Sequence, residues 1–268
     1  MCGLASFIGK SNNYSLSADL FKNLFVFLEE RGTDASGFYG VSPLFDTYYY
    51  KQAGKSSDLI KTDKWKKVEN NDLDLLMIHT RKTSSNSGSS SDNENNHPFV
   101  GKNNKSALVH NGIIHEYKKL KNYYATFSKC DSEILLRILD IDFDYSNYRN
   151  NRLDQIKGLL GLIKNSEYTF LLSDIFENKK SLWAVKNEQR PLVMIDAREE
   201  LNQIIFVSTI EIWQNALDNV KNKYLKNCKA YFLENNYIIN VIKDENGFLD
   251  LKFFSYNWKN YQEFNLIK

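Results

Sequence analysis

Cys2 is the residue whose position, beyond its type, could do chemistry. Loss of Met1 would put a thiol and a free α-amine on one residue. Such an amine titrates near ~7.7–8.0, so at neutral pH it can take the thiol's proton without help from a histidine. That is the arrangement of an N-terminal nucleophile. The competing reading of a sparse cysteine is plain packing, since free cysteine is among the most buried residue types. Four later segments bear on the choice: Arg31-Gly-Thr-Asp34-Ala-Ser-Gly37, His79-Thr80-Arg81, Asn96-His97-Pro98, and Leu108-Val-His-Asn111-Gly112-Ile-Ile114, followed by Cys130-Asp131-Ser-Glu133.

The elements that must position these residues are legible as alternating patterns. Gly3 to Gly9 is short, apolar and bounded by glycines, which predicts a buried strand starting at Cys2. Leu16, Leu20, Leu24 and Leu28 give one apolar helical face. Strands are predicted over 36–41, 46–51 and 73–80, with Arg81 just past the last of them. Residues 82–96 are almost wholly Ser, Asn, Gly, Thr and charge, a composition that cannot bury itself and predicts a mobile surface loop. A strand over 106–110 is expected to close at Asn111-Gly112, the commonest hairpin signal. Asp131 or Ser132 can cap a helix carrying Ile134, Leu135, Ile138 and Leu139. The second half repeats the alternation: a helix near 153–163, strands over 168–173, 182–186, 192–195 and 203–208, a helix capped by Thr209, then strands over 230–234, 237–243 and 249–254. Strands outnumber helices and come in runs, which suits antiparallel sheets covered by helices.

The 268 residues suffice for a sizeable core, and a single domain spanning 1–268 is expected. A balance of 35 basic to 33 acidic residues argues against a nucleic-acid surface or an anionic membrane partner. The three cysteines show no metal spacing, no cofactor or metal is implied by any ligand cluster, and no signal segment opens the chain; the expected location is cytoplasmic. No apolar run reaches the ~18 residues of a membrane span.

In this order, behind Met-Cys-Gly, the motifs resemble the class II glutamine amidotransferases, and most closely the glutaminase domain of glucosamine-6-phosphate synthase. The resemblance implies an α+β fold of the Ntn-hydrolase type, a four-layer αββα sandwich with two mainly antiparallel sheets. It implies a glutaminase that forms a glutamyl thioester on Cys2 and releases glutamate and ammonia. Arg81 matches the family's clamp on the substrate carboxylate, with Thr80 adding a hydroxyl, and Asp131 matches the group that holds the α-ammonium. Asn111 and Gly112 match the oxyanion donors. His97 is expected to support the substrate pocket, and Arg31 with Asp34 to form an orienting ion pair. His79 and His110, ending apolar strands, are read as core or turn histidines outside the site.

The chain departs from that pattern at Lys82, where the family has a tryptophan associated with ammonia passage, and in the polar excursion 83–96. It ends after a glutaminase-sized domain, so the expected ammonia acceptor is a separate synthase subunit. Two other readings stay open. One is an amidase acting on γ-glutamyl compounds or small amides; the other is a catalytically silent ligand-binding subunit of the same fold. The aromatic tail around Phe253, Phe254, Trp258, Tyr261 and Phe264 is read as covering the last strands, with a docking surface as its alternative.

Overall fold

The computed structural model describes all residues except 85–86, 141–146, 188–189, 234, 258–259 and 265–268. Along the chain run β1 (Gly3–Ile8), α1 (Tyr14–Phe27), β2 (Ala35–Val41), β3 (Thr47–Ala53), α2 (Ser56–Leu59), α3 (Asp63–Asn70), β4 (Leu75–Arg81), β5 (Phe99–Val100), β6 (Ser106–Ile113), α4 (Tyr117–Leu120), α5 (Glu133–Leu139) and α6 (Tyr148–Leu162). They are followed by β7 (Glu167–Phe176), β8 (Lys179–Lys186), β9 (Val193–Ala197), α7 (Arg198–Leu201), β10 (Gln203–Val207), α8 (Ile210–Val220), β11 (Lys229–Phe232), β12 (Tyr237–Lys243), β13 (Leu249–Asn257) and β14 (Asn260–Phe264).

The strands form two seven-stranded sheets, ordered β11-β9-β10-β1-β4-β2-β3 and β14-β13-β12-β8-β7-β6-β5. The described pairings are antiparallel. Three apolar layers explain why the central strands read as continuous hydrophobic runs. In β1, Leu4 and Ile8 face the second sheet while Ala5 and Phe7 face the helices. In β4, Leu75 and Met77 point inward and Leu76 and Ile78 outward. Leu108 of β6 and Phe170 of β7 lie under α5 and α6, while Val109 and Leu171 meet the first sheet. Both faces of each sheet are therefore covered, which yields the expected four-layer αββα sandwich.

Local chemistry sets the helix ends. The Asn13 side chain accepts the Leu16 N–H at 3.1 Å to start α1, whose Leu20, Phe21, Leu24 and Phe25 are fully buried on the first sheet. Thr209 Oγ1 accepts the Ile212 N–H at 3.4 Å and starts α8, as the sequence suggests.

Several local expectations are corrected. Asn111-Gly112 is not a turn: β6 runs through both residues to Ile113, in register with Thr169 and Tyr168 of β7. Gly112 is required by close approach, because a Cβ there would lie 1.9 Å from the Glu167 carbonyl oxygen. Helices α2 and α3 lie in a stretch with too few apolar residues to show a helical period; only Trp65 and Val68 of α3 are buried. The polar segment 82–96 does bury part of itself, since Asn95 and Asn96 are 1% and 0% exposed. Their amides donate to the Ser89 and Ser90 carbonyls, satisfying inside the segment what its composition could not hide. In the aromatic tail, Phe253 and Phe254 are buried in the core, and Trp258 lies outside the described residues. No helix among the described residues is long and apolar enough to cross a membrane.

Candidate active site

Cys2 immediately precedes β1, which lies in the first sheet between β10 and β4. The Gly3↔Thr80 pairing sets the C-terminal end of β4 beside it, so Arg81, the last residue of that strand rather than one past it, reaches the same end of the sandwich. From the second sheet, β6 delivers Asn111 and Gly112, and the residues leading into α5 deliver Asp131. A pocket of about 200 Å³ lies there, with Cys2, Arg81, His97, Asn111, Gly112 and Asp131 among its lining. That is below the ~300 Å³ at which pockets for drug-sized ligands begin, and suits something as small as one amino acid.

The Cys2 thiol is held against the backbone of Lys82, 3.5 Å from its N–H and 3.7 Å from its carbonyl oxygen. Burial pushes the thiol up; the Lys82 backbone contact, the N-terminal ammonium and Arg81 pull it back in part. The Cys2 backbone N–H donates to Asn111 Oδ1 at 3.2 Å. This contact fixes the Asn111 amide so that its Nδ2 is a donor left without a partner, on a side chain 2% exposed.

Arg81 is equally buried. Its guanidinium donates to Asn96 Oδ1 at 2.8 Å, to Ser87 Oγ at 3.1 Å, to the Gly88 carbonyl at 3.0 Å and to the Ser87 carbonyl. All four partners are neutral. Asp131 accepts the Ile114 N–H on Oδ2 at 2.7 Å, with Cys130 Sγ and Ser132 Oγ near Oδ1 at 3.7 and 3.5 Å. Burial holds its carboxyl above the usual range, against the pull of the Ile114 N–H. Among the described residues neither Arg81 nor Asp131 has an oppositely charged partner within ion-pair distance. Buried charge of this kind is expensive unless compensated.

Three expected contacts take a different form. The Arg31–Asp34 ion pair is absent: Arg31 Nε donates to the Cys2 carbonyl at 2.8 Å, while Asp34 accepts the Thr83 N–H at 2.8 Å and meets Lys82 Nζ at 3.7 Å. The turn between them passes so close to β4 that a Cβ at Gly32 would lie 2.4 Å from the Arg81 carbonyl carbon, and this packing splits the pair between two targets. Thr80 is fully buried and its hydroxyl donates to the Leu28 carbonyl at 2.7 Å, so it braces β4 instead of facing the pocket. Asp131 makes no capping bond to α5, because its carboxylate is turned to Ile114.

Two groups missed by sequence reasoning join the site. His110, read as a core or turn residue, lines the pocket and holds Ser132 Oγ through Nδ1 at 2.7 Å. Arg190 also lines it, paired with Glu167. The alternation of β6 puts His110 on the face opposite Asn111, which is why its sequence position gave no signal for the pocket. Arg190 opens the run Arg190-Pro191-Leu192, an echo of the family pattern too faint to mark it as a site residue. His79 stays in the core, with Nε2 against the His110 carbonyl at 3.0 Å. Among the described residues no group of three or more His, Cys, Asp or Glu could hold a metal ion.

No family model matches the chain. The glutamine–fructose-6-phosphate aminotransferase (isomerizing) of Staphylococcus aureus is 29% identical over 200 residues, 72% of this chain and 30% of that protein. Its counterpart from Staphylococcus epidermidis is 31% identical over 199 residues, with the same coverage of 72% and 30%. This chain therefore spans about 30% of the length of the curated relatives it matches. Among solved structures, the allosteric regulatory enzyme of purine biosynthesis superposes with a TM-score of 0.67 at 17% identity, over 96% of this chain and 49% of that one. The glutamine phosphoribosylpyrophosphate amidotransferase of B. subtilis superposes with a TM-score of 0.65 at 17% identity, over 96% of this chain and 50% of that one.

Proposed function

Because this chain belongs to the class II, N-terminal-nucleophile glutamine amidotransferases, we propose that it hydrolyses the side-chain amide of L-glutamine through Cys2 and passes the ammonia to an acceptor site on a separate synthase. The observation that carries this reading is the pair of uncompensated opposite charges, Arg81 and Asp131, lining one small pocket with a thiol. A free amino acid brings the two missing counter-charges in one molecule. Its carboxylate suits the planar guanidinium, and its ammonium suits Asp131.

With Met1 removed, the nitrogen that now donates to Asn111 Oδ1 becomes the α-amine. It takes the thiol proton, and the thiolate adds to the amide carbon. The unpartnered Asn111 Nδ2, with the Gly112 N–H, receives the oxyanion. Collapse expels the nitrogen, which takes its proton from the α-ammonium, and leaves a thioester for water to hydrolyse with the same amine as base. The Arg31 bond to the Cys2 carbonyl and the Lys82 backbone hold the nucleophile in place, so positioning supplies a large part of the rate. The same residues 1–268 act in this account as one domain.

The relatives' names pair glutamine with fructose 6-phosphate in proteins of which this chain matches about 30% of the length, which supports an acceptor outside this domain. Glutamate release from glutamine, compared between wild type and Cys2→Ala, tests the reading: activity is expected in the first and none in the second, and equal rates would end it. Retention of a synthase on copurification from the native host tests the partner.

A further inference from the structure

Glutamine offers four polar groups. In the proposed mechanism its carboxylate meets Arg81, its ammonium Asp131 and its amide oxygen Asn111 and Gly112, which leaves the carboxamide NH2 without an acceptor. One pocket ring has no task. His97 is 3% exposed, lines the same pocket as Cys2 and Asn111, and has both Nδ1 and Nε2 without a partner. Its ring is fixed by the His79 ring at a centroid distance of 4.1 Å and by the edge of Phe99 at 4.8 Å. A neutral imidazole carries one donor and one acceptor nitrogen, and burial together with the neighbouring Arg81 and Lys51 keeps this ring uncharged. A buried polar side chain with neither nitrogen used, lining a pocket, is placed to meet a polar group of the ligand.

We propose that His97 accepts a hydrogen bond from the leaving carboxamide nitrogen and then holds the released ammonia as neutral NH3, an inference that rests on the glutamine-hydrolysis reading. The proton balance is closed without it. The thiol proton moves to the Cys2 α-amine as the C–S bond forms. As the C–N bond breaks, the α-ammonium returns that proton to the departing nitrogen, giving NH3 and the thioester. His97 neither gains nor loses a proton; its lone pair orients the NH2 in the tetrahedral intermediate.

The test compares L-glutamine with the γ-methyl ester of L-glutamate, whose leaving group has no N–H, using mature wild type, His97→Phe and His97→Asn. The phenylalanine keeps a ring against His79 and Phe99 and removes both nitrogens. It is expected to lower kcat/KM about tenfold on glutamine, the worth of one hydrogen bond, and to leave ester hydrolysis within about twofold of wild type on the same scale. Asparagine, which restores an acceptor oxygen, recovers most of the glutamine rate. Equal losses on both substrates, or no recovery with asparagine, overturn the inference and leave His97 as pocket wall. If the phenylalanine variant melts early, His97→Met carries the same comparison. Wild type inert on both substrates overturns the glutamine-hydrolysis reading itself and this inference with it, an outcome read before any variant ratio is taken.

Discussion

At the residue that leads into β4, Asp74 is fully buried between Lys180 and Lys243, each 2.9 Å away; at the other end of the same strand, Arg81 is almost as buried and faces neutral groups alone. A second structural charge, Arg152, meets Asp174 at 2.8 Å, and the Tyr148 hydroxyl donates to the same carboxylate at 2.6 Å. The molecule thus compensates its buried charge with its own residues where the role is structural. In the pocket it leaves one cation and one anion open. On the proposed reading, Arg81 and Asp131 are held for charges brought by the substrate, at some expense to stability.

The strongest way to break the comparison is to remove one charge from each end. Asp74→Ala strands two buried lysines and is expected to lose about 3–5 kcal/mol of stability, read as a urea midpoint shift, while the folded fraction keeps its KM for glutamine. Arg81→Met should act mainly on turnover. It removes an uncompensated buried cation together with four hydrogen bonds to neutral acceptors, so the stability loss should be smaller than for Asp74→Ala, while kcat/KM falls about a hundred- to a thousandfold. Equal stability losses in the two variants would erase the distinction.

Acid should act through the two pocket histidines, His97 and His110, and the core His79 packed against His97. Burial holds His79 and His110 at about 3, and His97 well below the ordinary imidazole value. Folded pKa values below the unfolded ~6.5 mean that each ring's contribution is present above pH 6.5 and is lost as pH falls toward the folded value. By pH 5 the loss is up to about 2 kcal/mol per ring. Urea midpoints at pH 7.5 and 5.0 measure it, and a flat profile would show that the rings are not held neutral. The smallest effect belongs to neither region: Thr209→Ala removes the α8 cap bond and should lower stability by about 0.5–2 kcal/mol with glutamine turnover unchanged.

Much of this was legible beforehand where local pattern and burial agree. The runs in β1, β4, β6 and β10 are apolar because both faces are covered, and the leucine spacing of α1 follows one sheet face. The motif residues Cys2, Arg81, Asn111 and Asp131 do meet at one end of the sandwich, since β1, β4 and β6 all bring their chemistry there. What stayed hidden depends on contacts distant in sequence. Arg31 serves the Cys2 carbonyl 29 residues away, Thr80 reaches Leu28 across 52, and neither follows from spacing. Asn111-Gly112 misled because a hairpin signal and a close strand approach select the same small residue. The polar segment misled because Arg81 binds its Ser87 and Gly88 carbonyls, a use of backbone that composition does not register.

The most direct check on the whole account is intact-mass and peptide analysis of active protein treated with an electrophilic glutamine analogue that alkylates thiols. The account predicts a chain lacking Met1 that gains one adduct, on Cys2, with glutamine protecting against it and Arg81→Met slowing it. Active material that retains Met1, or that leaves Cys2 unlabelled while another residue reacts, would contradict it.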